Sequence, residues 1–248
     1  MARILVWDIE VSTFALTLQA YDLRVSISRF NPNHITRDWS LLSAAWKIIG
    51  EKKTHCIAVS PRDVFNDEKI VRRLHKVLSG VDILVGHNSD AFDLKKFNTR
   101  ALFYGLSPIP KIPSIDTLKV ARKHFKFTSN KLSYIARFLK VGAKDESPDW
   151  NKVLAGDRKE IARMKTYNIK DVTVTEKVYM VLRRFIDNHP DLNSITPIRD
   201  TRGDQVTLCP KCQSCNYIKN GFKFTSGGRY QRYFCNDCSG WFFGKKRL

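Results

Sequence analysis

The sequence predicts a mixed α/β fold in which helices flank a central sheet, followed by a small cysteine-bearing domain. Strand-like and helix-like segments alternate along the first 187 residues, and five of the six cysteines lie near the C-terminal end. At 248 residues and 43% apolar composition, the chain is long enough for one larger domain and one small one.

The first predicted strand covers residues 3–9, and two more lie in "WSLLSAAWKIIG" and "KKTHCIAVS". Between the first of these strands and the second, residues 14–37 mix short apolar runs with turn residues, which predicts a hairpin or a loop. The spacing of "DEKIVRRLHKVLSG" predicts a helix that ends at a glycine, and "VDILVGHN" predicts another buried strand.

Helical segments follow in "FDLKKFNTRALFYGL", "SIDTLKVARKHF" and "NKLSYIARFLKV", and a long one runs from "GDRKE" to about Ile186. Asp157 and Glu160 at the start of the long helix suit a capping box. The segment "DNHPDLNSITPIRDTRGDQ" has the composition of a linker. We therefore expect a larger domain at 1–187, a linker at 188–204 and a cysteine domain at 205–248.

The charge of the chain is strongly positive, with 43 Lys and Arg against 24 Asp and Glu and a formal net charge of +19. This excess favours a polyanionic partner, most simply nucleic acid. A membrane-surface protein would concentrate its charge on an amphipathic helix, whereas here the charge is spread along the chain. We expect a nucleic-acid partner, no membrane partner and, without a signal-peptide pattern, the cytoplasm of a bacterial or a virus-infected cell.

Two carboxylates, Asp8 and Glu10, follow the apolar start of the first strand, and the two-residue period directs both to one face. Because like charges held close repel, this pattern indicates a bound cation. Asp93 begins the helix after "VDILVGHN", and Tyr167 and Asp171 share one face of the long helix. Taken singly, each acid also fits a polar turn, a helix N-terminus or a solvated helix face.

In this order, the motifs "WDIE", "HNSDAFD" and "YNIKD" resemble those of the DnaQ-like, or DEDD, 3′–5′ exonucleases of the ribonuclease H-like fold. The tyrosine in "YNIKD" matches the DEDDy branch, and the resemblance covers roughly residues 1–187. It implies a ribonuclease H-like mixed sheet and two Mg²⁺ or Mn²⁺ ions held by four carboxylates, with a tyrosine that orients the attacking water. The residues implied are Asp8, Glu10, Asp93, Asp171 and Tyr167.

The chemistry of phosphodiester hydrolysis explains such a set of residues. The reaction needs a hydroxide near neutral pH and stabilisation of the leaving 3′ oxygen, and two divalent ions about 3.5–4 Å apart supply both. Mg²⁺ and Mn²⁺ prefer oxygen ligands, so a few carboxylates suffice. The same cations would offset the repulsion between Asp8 and Glu10.

The clustered cysteines favour metal binding over disulfides in a chain without a signal-peptide pattern. Two C-x-x-C pairs indicate one tetrahedral zinc site, whose binding would supply the folding energy of a short segment. Spacing alone allows either Cys209 and Cys212 or Cys212 and Cys215 as the first pair. The segment resembles the zinc ribbons of insertion-sequence transposases, and this resemblance implies that one structural Zn²⁺ is bound by Cys209, Cys212, Cys235 and Cys238, with Cys215 outside the set.

Basic and aromatic residues alternate along the predicted ribbon, as in proteins that contact phosphates and stack on unpaired bases. Packing around the zinc is the structural role for most of the aromatic rings, and we expect both roles to hold, with two or three aromatic residues exposed. The predicted nucleic-acid contacts are Lys219, Lys223, Arg229, Arg232, Lys245, Lys246 and Arg247.

Together, these patterns predict a metal-dependent 3′–5′ exonuclease acting on single-stranded DNA or frayed 3′ ends, with a zinc ribbon that helps to bind the nucleic acid. An exoribonuclease and a structure-selective nuclease are the enzymatic alternatives, since no residue selects for or against a 2′-hydroxyl. A non-catalytic, zinc-dependent nucleic-acid-binding protein is the alternative of another class. The complete set of four acids and the tyrosine favours the enzyme.

Overall fold

The computed structural model describes residues 2–17, 32–143, 146–195 and 208–247, with side chains described as far as residue 244. Residues 18–31, in the middle of the predicted hairpin or loop, lie outside this description. The strands before the ribbon are β1 (Ile4–Val11), β2 (Ala15–Leu16), β3 (Ile35–Arg37), β4 (Leu41–Ile48), β5 (His55–Ala58), β6 (Ile83–Gly86) and β7 (Ser114–Asp116).

A mixed sheet of five strands, in the order β5-β4-β1-β6-β7, forms the centre of the larger domain. β1 pairs with β6 in parallel and with β4 antiparallel, so β1 occupies the middle of the sheet. The sequence predicts that residues 114–116 belong to the following helix, whereas the structure places them in strand β7. The short strands β2 and β3, of two and three residues, form a separate antiparallel pair.

Helices cover both faces of this sheet, as the predicted α/β fold requires. Their bounds are α1 (Glu68–Leu78), α2 (Asp93–Phe103), α3 (Thr117–His124), α4 (Leu132–Phe138), α5 (Trp150–Leu154), α6 (Arg158–Leu182) and α7 (Leu192–Ile195). None of the described helices combines the length and the apolar character needed to cross a bilayer.

The alternation of side chains along β1 separates two parts of the hydrophobic core. Leu5, Trp7 and Ile9 pack with residues of α1 and α2 on one face. Ile4 and Val6 pack with residues of α6 on the other face. The carboxylates that continue this second series along β1 are therefore directed towards α6.

The start of α6 is fixed by the carboxylate of Asp157, which accepts hydrogen bonds from the amides of Lys159 (2.8 Å) and Glu160 (2.9 Å). This is one half of the predicted capping box. The side chain of Glu160 instead accepts the amide of Asp149 at 2.8 Å, which ties α5 to the start of α6.

The C-terminal domain is a three-stranded antiparallel sheet in the order β10-β9-β8. Its strands are β8 (Tyr217–Thr225), β9 (Gly228–Cys235) and β10 (Trp241–Arg247). Tyr217, Tyr233 and Phe242 pack with the cysteines into a small core. This agrees with the prediction that aromatic residues of the ribbon pack around the cysteines.

The chain between the two domains is held by specific contacts as far as it is described. Tyr179 donates to His189 Nε2 at 2.8 Å, and burial lowers the pKa of His189, which favours the neutral acceptor form. The amide of Leu192 donates to the Pro210 carbonyl at 3.0 Å. Residues 196–204 of the predicted linker lie outside the described residues.

Candidate metal-dependent active site

The structure brings together three of the four predicted carboxylates. Asp8 and Glu10 project from β1 towards α6, and Asp171 lies on α6, where its side chain is buried. Ligand oxygens of Asp8, Glu10 and Asp171 lie within 4.8 Å of one another. Three carboxylates this close repel one another, so the arrangement favours a bound cation.

Asn168 holds Asp8 in place and was missed as a site residue in the sequence. Its side chain is fully buried, and its Nδ2 donates to Asp8 Oδ2 at 2.6 Å. Its Oδ1 accepts from the Ser43 hydroxyl at 3.1 Å, and Ser43 lies opposite Glu10 in the β1–β4 pair. The sequence signal that could have identified Asn168 is its position: it is a polar residue directly after Tyr167, on the inward face of a helix.

Asp93 occupies the first turn of α2 and plays a different part from the other acids. Among the described acidic side chains, it does not belong to the group within 4.8 Å. Its Oδ1 accepts the Ile9 amide at 3.1 Å, next to Asp8 on β1. Burial raises the pKa of the Asp93 carboxyl to about 7, while the Ile9 amide opposes the rise. A cation nearby would favour its charged form.

Tyr167 lies one helical turn before Asp171 on α6, and its ring is partly buried. The ring meets that of Trp150, at the start of α5, edge to face with 6.4 Å between centroids. This contact with α5 limits the orientations that the Tyr167 ring can adopt.

An open cleft of about 550 Å³ leads to Asp8 and Asp171. Arg122 of α3 and Lys131 before α4 line the same cleft and add positive charge to it. His87 also lines it, but both ring nitrogens lie within hydrogen-bond distance of protein atoms, Thr117 Oγ1 (2.9 Å) and the Asn130 carbonyl (3.0 Å).

Asp116 ends β7 beside the cleft and has a structural role. Its carboxylate accepts the amides of Leu118 and Asn88, so it caps α3 and fixes the loop before α2. The backbone of Asn88 has a φ of 65°, a left-handed conformation that asparagine tolerates better than most residues. This fixed loop positions Asp93 at the edge of the site.

The chemistry of the acidic cluster fits the divalent ions that the resemblance implies. All three groups offer carboxylate oxygens, which Mg²⁺ and Mn²⁺ prefer, and the cleft leaves room for water ligands. Asp8, Glu10 and Asp171 are the residues that would hold such ions, with Asp93 at the border of the cluster.

The four cysteines implied by the ribbon resemblance also converge. Sγ–Sγ distances are 3.7 Å between Cys209 and Cys238 and 3.6 Å between Cys212 and Cys235. Four sulfurs at about 2.3 Å from one zinc ion in a tetrahedron would lie about 3.8 Å apart, so the cluster has the size of a zinc site. Cys215 is exposed and lies outside the four-cysteine group.

The predicted basic contacts of the ribbon divide between its two faces. By strand register, Lys223 and Arg232 share a face with Trp241, while Lys219 and Arg229 lie on the face of the small cysteine core. The side chains of Lys245, Lys246 and Arg247 lie outside the described residues.

The fold and the acidic cluster define an α/β protein with a candidate divalent-metal site beside the central strand. The profile of the RNase_H superfamily matches residues 40–183, more than half of the chain, and the chain belongs to this superfamily. The match includes Asp93, Tyr167 and Asp171 and begins after β1.

Two similar proteins are DNA polymerases. The chain is 33% identical over 130 residues to a DNA polymerase III PolC-type of Ureaplasma parvum, covering 50% of this chain and 9% of the polymerase. The structure of a family B DNA polymerase from the archaeon Pyrobaculum calidifontis matches with a TM-score of 0.54 and 17% identity, over 74% of this chain and 25% of that one. The latter likeness concerns the fold alone. The chain therefore spans a small part of either polymerase.

Proposed function

We propose that the protein is a metal-dependent 3′–5′ exonuclease of the DEDDy type that degrades single-stranded or frayed DNA ends. The observation that carries this proposal is the cluster of Asp8, Glu10 and Asp171, whose oxygens lie within 4.8 Å in a fold of the RNase_H superfamily. The DNA polymerase relative supports DNA as the substrate.

Each residue of the site has a role in the proposed reaction. Asp8, Glu10 and Asp171 would hold two Mg²⁺ or Mn²⁺ ions, which when bound lower the pKa of water and neutralise charge on the scissile phosphate. Asp93 would complete the set from the start of α2, and its link to the Ile9 amide ties it to β1. Tyr167 would hold the attacking water by a hydrogen bond, and Asn168 orients Asp8.

The ribbon is proposed to bind one structural Zn²⁺ through Cys209, Cys212, Cys235 and Cys238 and to help hold the nucleic acid. The Sγ distances of 3.6 and 3.7 Å support this metal. The net charge of +19 supports a polyanionic partner for the chain as a whole.

The polarity of degradation tests the proposal. One DNA strand is prepared with a label at its 5′ end, with a label at its 3′ end and as a closed circle, and each form is incubated with Mg²⁺ or Mn²⁺. We expect stepwise shortening of the 5′-labelled form, release of a labelled mononucleotide from the 3′-labelled form and an intact circle.

Three other outcomes would change the proposal. Cleavage of the circle would indicate an endonuclease, and faster degradation of an RNA strand of the same sequence would identify RNA as the substrate. Binding of the strand without degradation in the presence of either metal ion would refute the proposal that the protein is an enzyme. Metal dependence is measured by omitting the added metal, because a chelator would also remove zinc from the ribbon.

A further inference from the structure

A second cleft, of about 880 Å³, lies between the larger domain and the ribbon, away from the acidic cluster. On one side it is bordered by the end of α3 and by the short 3₁₀ turn Arg183–Phe185 that follows α6. On the other side it is bordered by all three ribbon strands. Its lining includes several aromatic and basic side chains, among them His124, Arg184, Phe185, Lys223, Trp241 and Phe243.

The alternation of β10 explains why aromatic rings face this cleft. Phe242 points into the small cysteine core and is 5% exposed, so its neighbours Trp241 and Phe243 point the other way. They remain 44% and 46% exposed, although large apolar side chains are usually covered. Phe185, across the cleft, is 39% exposed and is held edge to face by Phe125 at 4.9 Å.

Positive charge lies directly beside these rings. Lys223 Nζ is 3.6 Å from the centre of the Phe243 ring, and the Arg184 guanidinium is 5.1 Å from that of Phe185. Each cation covers one face of its ring, so a base would stack on the opposite face with the cation close to its phosphate. Lys223 also shares its face of the ribbon with Arg232, whose guanidinium is 5.0 Å from the Trp241 ring.

Two carboxylates border the cleft, and both are already engaged. Asp187 accepts from Lys123 at 2.9 Å and lies 3.7 Å from His124. Asp191 accepts the Asn193 amide at 3.0 Å and the hydroxyl of the next residue, within the first turn of α7. They therefore oppose a bound anion less than free carboxylates would.

We propose that this cleft binds an unpaired stretch of nucleic acid, with bases stacked on Phe185, Trp241 and Phe243 and phosphates held by Arg184 and Lys223. Stacking on three rings requires open base faces, which a duplex does not offer, so the occupant is a single strand. That this strand is also the one degraded rests on the proposed exonuclease function.

Helix α3 connects the two clefts. Leu118 and Arg122 line the cleft of the acidic cluster, and His124 lines the cleft beside the ribbon. The six-residue step from Leu118 to His124 corresponds to about 9 Å along a helix. A stacked strand advances about 3.4 Å per nucleotide, so about three nucleotides cover the step between these lining residues. One strand that runs along α3 would therefore enter both clefts, and the proposed exonuclease function places its 3′ end at the acidic cluster.

The test measures binding of fluorescein-labelled dT15 to the inactive Asp171→Asn protein, without added divalent metal and without chelator. Phe185→Ala and Phe243→Ala are each introduced into this background, one on either side of the cleft. We expect each to weaken dT15 binding by about 5- to 100-fold, the effect of one base stacked on an aromatic ring. Lys223→Gln should lower the slope of log affinity against log salt by about 0.7.

Phe224→Ala is the matched control, because Phe224 is a ribbon phenylalanine that is 75% exposed and does not line the cleft. It should bind dT15 as the background protein does. Zinc content and unfolding free energy, unchanged in all variants, show that the ribbon is folded. Unchanged dT15 affinity in both cleft variants, an equal loss in Phe224→Ala or a parallel loss for the dT15·dA15 duplex would overturn the proposal.

The measurement separates this inference from the exonuclease proposal. A cleft that binds dT15 in a protein that degrades nothing would leave the inference standing and refute the exonuclease. Degradation from the 3′ end by a protein whose cleft variants bind dT15 normally would refute this inference and leave the exonuclease proposal standing.

Discussion

At the scale of single residues, the side of β1 to which a carboxylate points decides what it can do. Ile4 and Val6 pack with α6, and Asp8 and Glu10 continue the same alternation into the candidate site. The two-residue period alone predicted that they share a face. The hydrogen bond from Asn168 to Asp8 joins positions 160 residues apart, so no local pattern contained it.

The two roles of Asp93 can be separated by substitution. Asp93→Asn keeps an oxygen that accepts the Ile9 amide, so we expect its unfolding free energy within about 1 kcal/mol of wild type. Asp93→Ala leaves that buried amide without its acceptor and should cost about 1–3 kcal/mol in urea denaturation. If Asp93 is a metal ligand, both variants should lose at least about 10-fold in nuclease activity. A fully active Asp93→Asn protein would limit Asp93 to its structural role.

Asn168→Ala tests whether the orientation of Asp8 matters for activity. Loss of the 2.6 Å bond to Asp8 should lower metal affinity or activity by about 10- to 100-fold, as for other groups that orient metal ligands. The measurement is the nuclease rate as a function of Mg²⁺ concentration. Thr173→Ala is the control, because the hydrogen bond that the Thr173 hydroxyl donates within the described residues goes to the Ile169 carbonyl of its own helix. Equal rates in Asn168→Ala and the control would contradict the role.

At the scale of elements, the long helix α6 was the most predictable part of the chain, because its cap and its apolar spacing agree. Asp157 caps it as expected. The strand β7 was missed because only three residues, Ser114–Asp116, pair with β6, and their pairing depends on a distant part of the chain. Short strands carry too little periodicity to be separated from the helix that follows.

The turn between α5 and α6 determines where α6, and with it Tyr167 and Asp171, lies. Gly156 provides the backbone conformation of this turn. Its φ is +80°, and a Cβ there would lie 2.5 Å from the Pro61 carbonyl oxygen. At Gly105, φ is +64° but no atom lies within 4 Å of such a Cβ. We expect Gly105→Ala to cost about 1–2 kcal/mol from the backbone alone and Gly156→Ala to cost more. Equal losses in urea denaturation would show that the Pro61 contact relaxes without cost.

At the scale of the whole molecule, the sequence predicted two domains but not how they meet. Lys211 of the ribbon is 6% exposed, and its Nζ donates to the Arg184 carbonyl at 2.8 Å. Asn193 Nδ2 donates to the Leu208 carbonyl at 3.0 Å. Such contacts depend on the tertiary positions of both domains, so composition showed only a segment rich in turn residues.

Zinc content tests which cysteines hold the ribbon together. We expect one zinc per chain in the wild type and in Cys215→Ser, because Cys215 is exposed and lies outside the sulfur cluster. Cys212→Ser should lose the zinc and the protection of the β9 amides from hydrogen exchange, since metal binding supplies the folding energy of such a small domain. Zinc loss in Cys215→Ser would instead identify Cys212 and Cys215 as the first pair.

The central claim is that Asp8, Glu10 and Asp171 form the catalytic site of an exonuclease. The most direct measurement follows 5′-labelled single-stranded DNA with Mg²⁺ in wild-type protein, in Asp171→Asn and in the control Glu68→Gln, which removes a carboxylate paired with Arg72 on the surface of α1. We expect wild type and control to shorten the strand from its 3′ end, and Asp171→Asn to bind it without shortening it. Shortening by Asp171→Asn at the wild-type rate would contradict the claim.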